Sequence, residues 1–161
     1  MNIIEAQVNT DEIQIGIIAS QYNDYIVSRL LSGAEEALLE KGIGSDQIDL
    51  VRVPGAFEIP VAVRAMAETG KYDAIITLGA VIRGETPHFD YICTECSRGI
   101  NEIAIEFSLP VVFGVLTVDS SEQAMDRSGS EESNKGAEAA DTAVDMINAI
   151  YAIYSEGMDD D

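Results

Sequence analysis

The sequence predicts an α/β protein, a three-layer α/β/α sandwich around a central four-stranded parallel sheet. Four apolar runs alternate with segments whose apolar residues recur at helical spacing. The last two runs are nearly uninterrupted in apolar residues, which is typical of strands covered on both faces. Alternation of strands and helices favours parallel pairing with right-handed crossover connections. A chain of 161 residues is long enough for one domain with a substantial core.

The predicted strands are short and rich in branched apolar residues, which favour extended backbone. Pro110 can open the last strand without breaking a ladder of hydrogen bonds. The four strands are predicted within residues 13–19, 49–53, 74–82 and 110–118.

In the segments between these strands, apolar residues recur every three to four positions, as in a helix. Gly42 and Gly44 should end the first helix, and Gly70 should end the second. Pro60 fits only in the first turn of that second helix. The predicted helices contain apolar stripes within residues 26–38, 59–66, 89–107 and 140–154, with a shorter helix at 121–127.

Neither an internal repeat nor a linker divides the chain. We therefore expect a single domain spanning residues 1–161, with an N-terminal arm at 1–12 and an acidic tail at 155–161. The first residues lack the basic start and apolar run of a signal peptide, and no stretch is apolar enough to span a bilayer. Two cysteines without an export signal favour a reducing, cytoplasmic setting.

The protein is strongly acidic, with a formal net charge of -20. This charge argues against a nucleic-acid partner, because such proteins need a basic surface. The acidity can reflect solvated helix faces. Adaptation to high salt is the alternative, since dissolved ions screen the self-repulsion of an acidic protein.

Both cysteines lie close together, at Cys93 and Cys96. They fall in step with the apolar residues of the third helix, so we expect them to pack as small hydrophobic side chains. The alternatives are a zinc site, for which two further cysteines are lacking, and a redox pair, which would need an exposed strand-to-helix turn.

His88 is the only histidine, and it follows the third predicted strand. Thr86 can cap the next helix, and Pro87 suits its first position. His88 should therefore lie at the carboxyl end of a parallel strand, the edge where open parallel sheets bind ligands. The positive helix end favours a neutral imidazole, which can accept and return a proton. A surface histidine without a role fits the position equally well.

Loops after the other strands lead to the same edge of the sheet. Tyr22 and Phe57 could stack on a flat ring, and Asn23 and Glu58 could hold hydroxyl groups. Taken singly, these side chains are more often a packed aromatic, a helix cap or a carboxylate at a helix N-terminus. Together they predict a cleft for a partly aromatic ligand.

Three cations stand beside glycines, at Arg83, Arg127 and Lys135. A cation next to a flexible turn can hold an anion. Each could equally be a solvated surface charge. These residues together predict a cleft for an anionic, partly aromatic ligand, with one acid–base residue.

Four segments resemble those of bacterial lumazine synthase: VPGAFEIP (53–60), LGAVIRGETPHFDY (78–91), FGVLTVDSSEQAMDRSG (113–129) and NKGAEAA (134–140). The resemblance runs from about Ile13 to Ile153. It implies a flavodoxin-like winding and an enzyme that condenses 5-amino-6-(D-ribitylamino)uracil with 3,4-dihydroxy-2-butanone 4-phosphate. The product is 6,7-dimethyl-8-ribityllumazine, in the penultimate step of riboflavin biosynthesis. Phosphate and water are released, and no cofactor or metal is needed.

The resemblance also implies roles for individual residues. His88 matches the proton-transfer histidine of the family. Phe113 covers the pyrimidine from a neighbouring subunit, and Arg127 pairs with the phosphate, while Arg83 has a structural or interface role. The implied contacts to the aminouracil and its ribityl chain are Tyr22, Asn23, Ala56, Phe57, Glu58, Ala80, Val81, Ile82 and Phe113, and those to the phosphate are Glu85, Thr86, Arg127 and Lys135.

The chain departs from the family pattern at three places. Tyr22 stands where phenylalanine or tryptophan is common, and Glu85 brings a carboxylate to the phosphate site. The stretch SEES (130–133) is more acidic than usual. None of these changes removes a catalytic group.

An assembly follows from the same resemblance. Active sites lie between neighbouring subunits of a homopentamer, and some members build an icosahedral 60-subunit shell. The short segment from Arg127 to Lys135 favours the shell. Riboflavin synthase is then a candidate partner. The competing classes are a non-catalytic shell protein and a nucleotide-binding module. A nucleotide-binding module would need a glycine-rich phosphate loop after the first strand, but the sequence there is SQYND.

Overall fold

A computed structural model describes residues 1–130 and 133–159 of the chain. The four strands are β1 (Ile15–Ser20), β2 (Ile48–Val53), β3 (Ala74–Ile82) and β4 (Val111–Val118). The helices are α1 (Asp24–Glu40), α2 (Ile59–Glu68), α3 (His88–Phe107), α4 (Ser121–Asp126) and α5 (Lys135–Asp159). Single 3₁₀ turns occupy Thr10–Glu12, Ser45–Gln47 and Ala56–Glu58.

The strands form one parallel sheet in the order β2-β1-β3-β4, which confirms the predicted four-stranded parallel sheet. The chain adds β2 on one side of β1 and then returns to place β3 on the other. The carboxyl ends of β1 and β3 therefore meet where the winding changes direction, which is where open sheets of this kind form a ligand crevice.

Helices cover both faces of the sheet, as predicted. Side chains alternate along β1, so that Ile17 packs in the cluster containing Leu30 of α1, whereas Ile18 packs in the cluster containing Ile59 of α2. Helices α1 and α5 lie together on the first face, and α2 and α3 lie together on the second. Full burial of each such isoleucine stabilises the fold by about 1.5–3 kcal/mol.

The predicted glycine stops are confirmed for the first two helices. Gly42 has a φ of 91° two residues after α1, and Gly70 has a φ of 67° two residues after α2. Glycine adopts this left-handed conformation without the steric penalty that a side chain brings.

The boundaries of two elements differ from the prediction. Thr86 does not cap α3: Pro87 occupies the position before the helix, no side chain caps it, and the carbonyl oxygen of Pro87 accepts from the N–H of Asp90 at 3.0 Å. Strand β4 starts one residue after Pro110, whose carbonyl oxygen still accepts from Ile75 N at 2.9 Å. Proline has no N–H to donate, so the regular ladder begins at the next residue.

The two ends of the chain meet along α5. The N–H of Val8 in the N-terminal arm donates to the side-chain oxygen of Asn148 at 2.9 Å. Residues 155–159, expected in the acidic tail, continue α5, while residues 160–161 and the middle of the SEES segment (131–132) lie outside the described residues. Among the described helices, none has the length and hydropathy needed to cross a membrane.

Candidate active site

A cleft of about 770 Å³ opens where β1, β2 and β3 end. Its walls come from the loops after these strands and from the start of α3. Ten residues predicted for the site line it: Tyr22, Asn23, Ala56, Phe57, Glu58, Ala80, Val81, Ile82, Thr86 and His88.

Main-chain hydrogen bonds tie the loop after β1 to the end of β2. Gln21 N donates to Val53 O at 2.7 Å, and Tyr22 N donates to Pro54 O at 3.0 Å. Tyr22 projects from this loop with 72% of its surface exposed. An aromatic ring this exposed on a monomer is available to stack on a planar ligand.

Asn23 adopts a left-handed backbone conformation, with a φ of 60°, directly before α1. Its side chain does not cap the helix, contrary to the simplest reading of that position. Instead Nδ2 donates to the main-chain oxygen of Ala80 in β3 at 2.8 Å. The amide thus joins two walls of the cleft and leaves its oxygen as the group that can accept from a ligand.

The opposite wall is the 3₁₀ turn that follows β2. Phe57 is 58% exposed, so a second aromatic face borders the cleft. The carboxylate of Glu58 folds back toward Gly55, where an added Cβ would lie 3.1 Å from Oε2. A side chain at Gly55 would therefore crowd the carboxylate of Glu58, which lines this cleft.

His88 is the first residue of α3, and its imidazole is exposed at the mouth of the cleft. The N–H groups of His88 and Phe89, at the start of α3, have no helix carbonyl one turn earlier to bond, so this wall can also receive negative charge. Tyr91 lines the same wall one turn later, and sequence reasoning did not select it. Its spacing of three residues from His88 was the available signal, because such residues share a helix face.

The remaining predicted residues do not reach this cleft. Phe113, Arg127 and Lys135 line a second groove of about 320 Å³ along β4 and the start of α5. The two cavities have no lining residue in common. Glu85 is exposed beside Thr86 but lines neither cavity.

The second groove is the more basic of the two. Arg127 follows α4 and donates from Nη1 to the carbonyl oxygen of Gln123 at 3.1 Å. Lys135 pairs with Glu138 at 2.8 Å, so part of its charge is already compensated. Glu138 was not selected from the sequence, although it lies three residues after Lys135 on the same helix.

The cysteines take no part in either cavity. Cys96 is 1% exposed and packs with Ile100 of the same helix in the cluster beneath α3, as the apolar spacing predicted. Burial raises the pKa of its thiol to about 12. Cys93 is half-buried in the same cluster, and the described residues hold no group of three histidine, cysteine, aspartate or glutamate side chains placed to bind a metal.

The chain matches a known protein family over most of its length. The family described as 6,7-dimethyl-8-ribityllumazine synthase matches residues 12–150 of the chain. The match covers β1 through most of α5, including every residue that lines the two cavities.

Proposed function

The chain belongs to the 6,7-dimethyl-8-ribityllumazine synthase family, and we propose that the cleft at the switch point is where it binds the aminouracil substrate. It is a transferase of riboflavin biosynthesis, and the family's reaction forms dimethylribityllumazine. The observation that carries the proposal is that Tyr22, Phe57 and His88, from three separate segments, line one cleft.

The cleft suits a planar heterocycle with a polyhydroxyl chain. Tyr22 and Phe57 offer aromatic faces for stacking, and the carboxylate of Glu58 can accept from ribityl hydroxyls. The end of β3, at Ala80, Val81 and Ile82, supplies main-chain groups for the uracil edge. One face of the cleft is left open to solvent by a single subunit, since both aromatic rings remain more than half exposed.

The phosphate site is proposed to form between subunits. Arg127 is the cation best placed to pair with a phosphate in the second groove, with Lys135 nearby and Phe113 offering a ring. Because this groove and the cleft share no residue in one chain, a complete site would need the groove of one subunit to face the cleft of another. Thr86 and the start of α3 would then meet the phosphate from the cleft side.

The proposed role of His88 is proton transfer. The amine of the aminouracil attacks the ketone, and an imine forms with loss of water; phosphate elimination and ring closure follow, and a second dehydration completes the ring. An imidazole at the mouth of the cleft can accept and return protons in these steps, a contribution of about 10²–10⁴-fold in rate. Holding the two substrates together supplies the other large part.

The assembly is proposed to be a homopentamer with shared sites, built further into an icosahedral shell. Among the residues whose burial the structure describes, 18 large hydrophobic side chains are exposed, and a subunit of this size is expected to bury some of them against copies of itself. Cytoplasmic location and riboflavin synthase as a partner are parts of the same proposal.

The direct test is an assay with both substrates. Purified protein, without added metal or cofactor, should produce the absorbance of 6,7-dimethyl-8-ribityllumazine only when both substrates are present. His88→Ala should slow turnover by about 10²-fold without abolishing it, because substrate positioning survives. A folded oligomer that gave no product above the uncatalysed background would replace this proposal with a non-catalytic shell.

A further inference from the structure

We infer that Arg83 is a positioning residue: it holds the first turn of α3, and with it His88, against the end of the sheet. The inference rests on the proton-transfer role proposed for His88. It concerns the one cation among the three beside glycines that lines neither the cleft nor the second groove.

The contacts of Arg83 join three elements. Its N–H donates to the carbonyl oxygen of Val118, which extends the pairing of β3 with β4 by one residue. Its Nε donates to the carboxylate of Asp119, just past β4, at 2.9 Å. Its Nη1 reaches the carboxylate of Asp90, in the first turn of α3, at 3.4 Å. One guanidinium group therefore ties the ends of two strands to the start of the helix.

The same guanidinium group lies on the ring of Phe89, with the central carbon 4.3 Å from the ring centroid. Phe89 is only 8% exposed and belongs to the core cluster beneath α3. Since Phe89 follows His88 directly, a contact that fixes this ring also fixes the backbone that carries the imidazole. A planar guanidinium can stack and bridge two carboxylates at once, which an ammonium group cannot do.

Arg83 should matter more for the position of the first turn of α3 than for the stability of the whole fold. The guanidinium side chain is 46% exposed, so solvent screens its two ion pairs and they contribute little to the stability of the whole fold. A helix terminus is nevertheless held by few interactions and opens at little cost in free energy. Loss of Arg83 should therefore loosen the first turn of α3 without unfolding the sheet.

The first experiment compares substitutions at two arginines of matched charge. Arg83→Ala should lower kcat by about tenfold, with a change in KM for either substrate of less than about twofold, because misplacement of a catalytic group acts on the transition state. Arg83→Lys should recover little of that loss. Arg98→Ala is the control, since Arg98 is also an exposed arginine paired with two carboxylates, Glu95 and Glu102, further along α3. It should leave kcat unchanged.

The second experiment is a double-mutant cycle with His88. In the His88→Ala background, Arg83→Ala should lower kcat by less than about twofold, because Arg83 acts through the missing imidazole. Asp119→Ala removes the carboxylate that accepts from Arg83 Nε and should show the same dependence on His88, so the cycle can be completed even if Arg83→Ala fails to fold.

Three results would overturn the inference. These are an unchanged kcat in Arg83→Ala, an equal loss in Arg98→Ala, or a tenfold loss that persists in the His88→Ala background. Failure of the proposed function looks different, because wild-type protein would then form no lumazine, or His88→Ala would match it in rate.

Discussion

The side-chain amide of Asn23 donates a hydrogen bond across 2.8 Å to the main-chain oxygen of Ala80, a residue 57 positions away. This bond joins the loop after β1 to β3 at the cleft, and Asn23 makes it from a left-handed backbone conformation with a φ of 60°. The cleft thus depends on one side chain that both tolerates an unusual backbone and bridges two strands.

Two substitutions at Asn23 should separate these contributions. Asn23→Ala loses the hydrogen bond, about 1 kcal/mol, and adds backbone strain of about 1–2 kcal/mol. Asn23→Gly loses only the hydrogen bond, since glycine accepts a positive φ. Chemical denaturation at matched protein concentration should show a smaller free energy of unfolding for the alanine variant, and equal losses in both variants would contradict the strain argument.

Complementation should reveal whether the active site is shared. His88→Ala damages the cleft and Arg127→Ala damages the second groove, so homo-oligomers of either variant should be slow. When equal amounts of the two variants co-assemble at random, about a quarter of the contacts between neighbouring subunits should pair an intact cleft with an intact groove. The measurement is the rate of lumazine formation before and after joint unfolding and refolding. Each variant refolded alone is the control, and a mixture no faster than the average of the two would place both residues in one subunit's site.

Close packing of α1 against α5 should make Gly136 intolerant of a side chain. A methyl group there would overlap the carbonyl oxygen of Leu30 in α1. Gly136→Ala should therefore lower the free energy of unfolding by about 3 kcal/mol, as overpacking of a tight contact does. Gly157→Ala is the matched control in the same helix, because an added Cβ there meets nothing within 4 Å. It should be neutral or stabilising by about 0.5–1 kcal/mol, and a similar loss in both variants would rule out the steric cause.

Burial of Cys96 should show in thiol labelling. Burial raises the pKa of this thiol to about 12, so at pH 8 almost no thiolate is present. We expect Cys96 in a Cys93→Ala variant to react with a disulfide reagent about a hundredfold or more slower than in the unfolded chain.

The raised pKa of Cys96 also makes the stability of the folded protein depend on pH. The folded-state pKa is raised, so the contribution of the buried neutral thiol to stability is complete below about pH 8.5 and is lost as the pH rises toward 12. Rapid labelling of Cys96 at pH 8 in the folded protein would reopen a redox role for the pair.

Salt should stabilise the protein through its net charge. The chain carries 29 acidic and 9 basic residues, and exposed ion pairs contribute little individually. Screening should therefore relieve more repulsion than it removes attraction, and the melting temperature should rise with sodium chloride concentration. A melting temperature that stayed level or fell would count against adaptation to high salt.

Local patterns predicted most of the secondary structure, though not every element boundary. The residues predicted for the third strand, 74–82, are those of β3, and Gly42 and Gly70 end helices where expected. Both signals act within a few residues, through strand periodicity and through the steric freedom of glycine. The cap assigned to Thr86 was wrong because the proline after it takes the position before the helix.

By itself, the sequence determined the parallel sheet, the apolar helix that buries Cys96, and the grouping of Tyr22, Phe57 and His88 at one edge. Only the tertiary structure decided that the groove of Arg127 is separate from that cleft, and which carboxylates hold Arg83. The physical reason is the distance along the sequence over which each kind of interaction acts. Periodicity and turn chemistry are properties of neighbouring residues, whereas approaches between loops depend on the order and register of the strands that carry them.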